Sequence, residues 1–294
     1  IAHARELAAR SEPPRRALDR RDVLEASQQN PNAVDEWVGK NKKLLRGPKA
    51  PGYCVRVVEA TFKGTPFEVS VEMAADLFYE LFSDPESQAQ RAYFFAEREV
   101  GKIPDIPKDT PLREVRKVGI VGAGLMGSGI ATCFVSAGYD VVVNEVQQEA
   151  LDRGLGAIKK NIEGAVAHGK MNPETADTGL KKLSGSVHID DLSDCDLVIE
   201  AVFERMDIKK SIFEGLDRVC KPGAILASNT SALDLNEIAG ATSRPEDVIG
   251  LHFFSPANIM RLLEIVRGAK TAKDVLATAL AVGRKIRKVS VVSG

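Results

Sequence analysis

The chain carries no surplus of charge: 40 lysines and arginines stand against 41 aspartates and glutamates in 294 residues, a net charge of -1. A general binder of nucleic acid or anionic membrane shows a basic excess, so that class is excluded. Cysteine is scarce too. Cys54, Cys133, Cys195 and Cys220 show no C-x-x-C spacing and no histidine at zinc-finger distance. Disulfide scaffolds and structural metal sites are thereby excluded, and the four read as reduced thiols of an intracellular, cytoplasmic protein. The first residue is Ile1, not Met, so the natural N-terminus is expected to be missing and an organellar matrix stays open. One stretch, residues 118–139, lacks charge over a length that could span a bilayer. Six of its residues are glycine and it follows Arg116 and Lys117 directly, so a soluble strand, turn and helix is expected and no membrane span.

What is present divides into two textures. Residues 1–50 are polar and interrupted by proline, with a basic cluster at Arg15, Arg16, Arg20 and Arg21. That cluster is interleaved with Asp19, Asp22 and Glu25 and has no aromatic residue to stack a base, so it reads as a solvated helix face. A short apolar piece (Val55, Val57, Val58) precedes a turn at Gly64. Residues 70–100 carry apolar side chains at helical spacing, with a restart at Ser83-Asp84-Pro85. Three prolines between 104 and 111 make that segment the expected linker.

Beyond it, β-branched runs alternate with helical stretches. Strands are predicted at 117–121, 141–144, 197–201, 224–228, 248–253, 262–266 and 289–292. Helices are predicted at 125–137, 148–167, 173–183, 208–219 and 273–286. Such alternation means an α/β fold, a mostly parallel sheet with helices on both faces.

The first strand runs into Gly122-Ala123-Gly124-Leu125-Met126-Gly127, a G-x-G-x-x-G turn that opens a helix. Gly122 allows the tight turn, Gly124 lets the backbone approach a pyrophosphate, and Gly127 lets helix and strand pack closely. The helix start at Leu125 and Met126 offers unpaired N–H groups to the phosphates. Glu145, at the end of the next strand about 20 residues on, can accept hydrogen bonds from a ribose and would repel a 2′-phosphate, which favours NAD over NADP. A solvated strand-end carboxylate is the other reading, and Asn144 competes for the same place. His252 stands near the end of one predicted strand and Glu264 inside the next, which is otherwise apolar. A two-strand arrangement would set the imidazole beside the carboxylate, either as a catalytic pair or as a structural buried hydrogen bond.

Four motifs together resemble the NAD-binding domain of the 3-hydroxyacyl-CoA dehydrogenase family: VGIVGAGLMGSGIA at 118–131, LVIEAVFE at 197–204, SNTSAL at 228–233 and GLHFFSPANIMRLLEIV at 250–266. The resemblance implies a Rossmann-type domain over 112–294 that oxidises an L-3-hydroxyacyl-CoA to a 3-oxoacyl-CoA with NAD. It makes His252 the base, Glu264 its orienting partner and Ser231 a hydrogen-bond donor to the reacting oxygen. Glu204, Lys209 and Asn229 would lie near the nicotinamide side of the cofactor; a surface contact is the other reading of Glu204 and Lys209. Ser255 would touch substrate, where many members carry Asn. Residues from about Val55 to Lys102, including PFEVSVEMAADLFYELFSDPESQAQRAYFFAERE at 66–99, resemble the C-terminal helices of a crotonase-type enoyl-CoA hydratase or isomerase. Residues 1–111 are accordingly expected to be a crotonase tail with a linker helix, within a multifunctional β-oxidation enzyme that is oligomeric or joined to a thiolase. The expected partner is an acyl-CoA, with no nucleic acid. The family continues beyond the equivalent of Gly294 into a helical C-terminal domain, so this chain is expected to be a fragment with weak turnover. The competing expectations are a lysine-dependent β-hydroxyacid dehydrogenase, a dinucleotide-binding module without turnover and, as a third, a nucleic-acid binder through the N-terminal arginines, which would show steeply salt-dependent binding.

Overall fold

The computed structural model describes residues 28–107 and 109–294, together with Arg5, Glu6, Ala8, Ala9, Asp22 and Glu25. The arginine cluster at 15–21 lies outside the described residues. The chain divides into two compact units, Ile1–Phe95 and Ala96–Gly294. This division precedes the one expected at 111/112, so the proline-bearing segment belongs to the second unit.

In the first unit, helices α1 (Ala33–Lys40), α2 (Lys49–Phe62), α3 (Phe67–Ser83) and the start of α4 (Pro85–Glu99) follow one another. Residues 49–62 form a full helix where only a short apolar piece was expected. Pro51 does not prevent this, because it sits in the first turn, where a missing N–H costs no hydrogen bond. The restart at Ser83-Asp84-Pro85 is as expected: Asp84 Oδ1 accepts the Glu86 N–H at 2.9 Å and α4 begins at the proline. Only Ser70 and Leu77 of α3 are buried.

The second unit is built on eight strands in the order β3-β2-β1-β4-β5-β6-β7-β8. They are β1 (Lys117–Val121), β2 (Asp140–Asn144), β3 (Leu183–Ser186), β4 (Leu197–Glu200), β5 (Ile225–Ser228), β6 (Val248–Phe253), β7 (Leu262–Val266) and β8 (Val289–Ser293). All neighbours pair parallel except β6 and β7, which are antiparallel. The expected mostly parallel sheet is therefore present. Strand β3, LSGS, was not expected. It has no β-branched residue, and its place comes from pairing with β2, Val141 opposite Leu183.

Helices cover both faces. On one side α5 (Leu125–Ser136), α6 (Gln148–Ala167), α7 (Pro173–Lys181) and α10 (Lys273–Lys285) share a core with Val118 and Ile120. On the other, α8 (Met206–Val219) and α9 (Leu235–Ala239) pack on Val121, Val198 and Leu226. The central strands are thus buried on both faces, which is why they read as unbroken apolar runs. Order reverses between β1 and β4, one connection running outward through β2 and the next through β5. Ligands of such sheets bind in the crevice outside the strand ends at that reversal. No helix among the described residues is long and apolar enough to cross a membrane.

Candidate active site

The glycine turn lies at the reversal. Gly122 has φ +100°, a conformation open to glycine, and an added Cβ would come within 2.9 Å of Ala201 O at the end of β4. At Gly127 an added Cβ would meet Gly122 O at 1.8 Å, so only a hydrogen there lets α5 lie against β1. At Gly124 nothing lies within 4 Å of that position. This open space borders the first N–H groups of α5, the geometry that a pyrophosphate requires. Leu125 is exposed and Met126 half-buried beside it. Glu145 stands at the same turn, its Oε2 accepting the Ala123 N–H at 3.1 Å. Asn144, by contrast, is buried and donates to Ser186 O in β3. Of the two strand-end residues it is Glu145 that reaches the glycine turn.

Two strands further on, β6 and β7 pair with His252 directly opposite Glu264. His252 Nδ1 lies 2.7 Å from Glu264 Oε2. A carboxylate at that distance fixes the proton on Nδ1 and leaves the Nε2 lone pair to accept another. Phe254 packs against the imidazole with ring centroids 4.6 Å apart. The loop beyond is held by Lys288, whose Nζ donates to Ala257 O and to Met260 O. Ser255 is exposed in this loop and makes no side-chain hydrogen bond among the described residues.

The loop after β5 carries Asn229, Thr230 and Ser231. Asn229 Oδ1 accepts the Phe253 N–H at 2.8 Å, which ties this loop to the strand end next to His252. Glu204 Oε1 accepts Thr230 Oγ1 at 2.6 Å, Ser231 N at 2.8 Å, Ser231 Oγ at 3.3 Å and Ala232 N at 3.3 Å. Burial alone would push the Glu204 carboxyl up, but the Thr230 and Ser231 hydrogen bonds and the Lys209 charge outweigh it and hold the group at about 2.

Lys209 is not a surface partner of Glu204. It is 1% exposed, with Nζ 3.2 Å from Glu204 and 2.7 and 2.9 Å from the two oxygens of Glu200. Glu200 was not singled out in the sequence, although its position offered a signal. A carboxylate that directly continues the apolar run Leu197-Val198-Ile199 is a candidate for burial, and a buried carboxylate needs a cation or hydrogen-bond donors nearby.

Comparisons with known proteins give the family. The family described as "3-hydroxyacyl-CoA dehydrogenase, NAD binding domain" matches residues 117–294. A peroxisomal fatty acid beta-oxidation multifunctional protein of Oryza sativa subsp. japonica is 44% identical over 75% of this chain and 30% of its own length. A peroxisomal bifunctional enzyme of Cavia porcellus is 38% identical over 96% of this chain and 39% of its own. Among solved structures, the 3-hydroxybutyryl-CoA dehydrogenase of Escherichia coli superposes with a TM-score of 0.60 at 38% identity, over 61% of this chain and 38% of that one. The chain thus spans about a third of the length of the curated relatives it matches. The expected cytoplasmic location is corrected by the same relatives, which are peroxisomal; cysteine usage reports a reducing surrounding and cannot separate the cytoplasm from an organelle. The family's domain covers more than half of the sequence, with the glycine turn, the Ser231 loop and the His252–Glu264 pair all inside it, and the chain therefore belongs to the 3-hydroxyacyl-CoA dehydrogenase family, its NAD-binding domain at residues 117–294.

Proposed function

We propose that the protein takes part in the NAD-dependent oxidation of an L-3-hydroxyacyl-CoA to the 3-oxoacyl-CoA. The observation that carries this reading is the imidazole of His252, held through Nδ1 by Glu264 at 2.7 Å, with Asn229 linking its strand to the Ser231 loop. The open space at Gly124, the close approach at Gly122 and Gly127, and Glu145 at the turn fit a dinucleotide. Gly122, Gly124, Leu125, Met126, Gly127 and Glu145 would hold its adenosine and pyrophosphate half, and Glu204, Lys209 and Asn229 would border its nicotinamide half. When bound, NAD supplies the two-electron acceptor that the oxidation needs.

The protein's own part is proton handling and orientation. His252 Nε2 takes the proton of the 3-hydroxyl as C3 becomes a carbonyl carbon, and Glu264 balances the positive charge that forms on the ring. The Ser231 hydroxyl turns from Glu204 Oε1, 3.3 Å away, to donate to the substrate oxygen, and Ser255 would touch the substrate. Residues 1–111 belong, in this reading, to the tail of a crotonase-type domain with a linker. The match of the Cavia porcellus peroxisomal bifunctional enzyme over 96% of the chain reaches beyond the NAD-binding domain into these residues, and its location supports a peroxisomal setting. An oligomeric or thiolase-bound state of the whole protein enters the same proposal, to be read from its native mass.

The test measures NADH formation from L-3-hydroxybutyryl-CoA by the whole protein and by its His252→Gln variant, with NAD affinity measured on both. Turnover is expected to fall on the order of a thousandfold with NAD binding intact. Binding of NAD without any turnover by the unsubstituted protein would instead favour a dinucleotide-binding module.

A further inference from the structure

Glu200 is a buried acid for which the reaction proposed above has no use. It is 0% exposed at the end of β4, and both its oxygens are fully engaged. Oε1 accepts Val202 N at 2.8 Å and Lys209 Nζ at 2.7 Å. Oε2 accepts Ser228 Oγ at 2.7 Å and Lys209 Nζ at 2.9 Å. The third contact of the same ammonium goes to Glu204 Oε2 at 3.2 Å, and all three of its N–H donors are then spent. Glu204 is the opposite kind of acid. Its side chain is 39% exposed, and its other oxygen gathers the backbone and hydroxyls of residues 230–232.

The order from inside to outside is therefore carboxylate, ammonium, carboxylate, loop. Lysine side chains are long and rotate freely, so an ammonium paired with Glu204 alone would move with it. Two bonds to Glu200 prevent this. Glu200 is fixed on a strand, and Ser228 on the adjacent strand fixes its carboxylate further. If charge balance alone mattered, an apolar side chain in each position would serve, since replacing a buried ion pair by well-packed apolar groups is often neutral or stabilising. The pair sits instead where it can set the position of a loop.

We infer that Glu200 is a positioning residue: through Lys209 it fixes Glu204, and through Glu204 the backbone of Ser231 at the edge of the crevice. The part of this inference that concerns the reaction rests on the role proposed for Ser231.

Glu200→Gln and Glu200→Asp test it in the 294-residue protein. The readouts are the thermal midpoint, the hydrogen-exchange rates of the Ser231 and Ala232 amides, and NAD affinity by calorimetry. Glu200→Gln keeps Lys209 paired with Glu204 but removes the charge and one of the two oxygens that hold the ammonium. The two amides are expected to exchange faster and NAD to bind more weakly, each by about tenfold, with Glu200→Asp between Glu200→Gln and the parent. A lower midpoint with unchanged amide exchange and unchanged affinity would overturn the inference and leave Glu200 as a packing residue. If Glu200→Gln does not fold, Glu200→Asp decides by the same amide signals. Failure of the parent chain to bind NAD would count against the proposed function, while the amide exchange would still decide for or against Glu200.

Discussion

At the scale of single residues, the three glycines of the turn differ in what they permit. Gly127 has no room for a methyl group, which would have to displace the carbonyl of Gly122, whereas Gly124 has open space around it. Gly124 also has φ -69°, which alanine adopts without strain. Gly124→Ala is accordingly expected to change stability by no more than about 1 kcal/mol while weakening NAD binding about tenfold or more. Gly127→Ala is expected to lose about 2 kcal/mol or more of stability through overpacking. Thermal melts and NAD titrations of the two variants check this, and equal stability losses would contradict the open space at Gly124.

Among elements, the segment ahead of β1 is joined to the body of the second unit by Arg113. Its guanidinium bonds Asp247 at 2.6 Å and Asp274 at 2.8 Å, and its backbone N–H bonds Thr278 Oγ1 at 2.9 Å. Asp247 is buried, so Arg113→Met leaves it without its cation and is expected to cost about 2 kcal/mol, read as a lower midpoint in calorimetry. The loop that follows β5 responds to acid. The Glu204 carboxyl is held at about 2 against an ordinary 4.5, so its hold on the loop is complete above 4.5 and is lost as pH falls toward 2. Ser231 and Ala232 amide exchange, corrected for its intrinsic pH dependence, should rise across that window in the parent and show no such step in Glu204→Gln. The same elements show how far the sequence could be read. Strands such as 248–253 and 262–266 were legible because apolar residues fill both faces, and two strands of that kind set His252 and Glu264 in register. Strand β3 was not, because partner strands rather than its own residues make it a strand. Glu200 and Thr230 were missed because their roles depend on what folds over them, and only Glu200 left a trace in the pattern.

For the whole molecule, both apolar cores and their packed neighbours found among the described residues lie within residues 103–292, inside the second unit. The second unit is therefore expected to fold by itself. Residues 96–294 expressed alone should give a cooperative melt and bind NAD with the affinity of the full chain, and an unfolded product would contradict this. One consequence of the hairpin between β6 and β7 concerns how such a site can change over evolutionary time. His252 and Glu264 face each other across paired backbones, so the strands set their register, while of the eight residues between them Phe254 packs on the imidazole and Ala257 is buried. A single residue inserted between Leu262 and Leu263 is a different matter. It would either push β7 along by one place, turning Glu264 to the opposite face, or force a bulge there. Change is thus confined to the exposed stretch of the connecting loop, while the strands on either side act as a fixed ruler between imidazole and carboxylate.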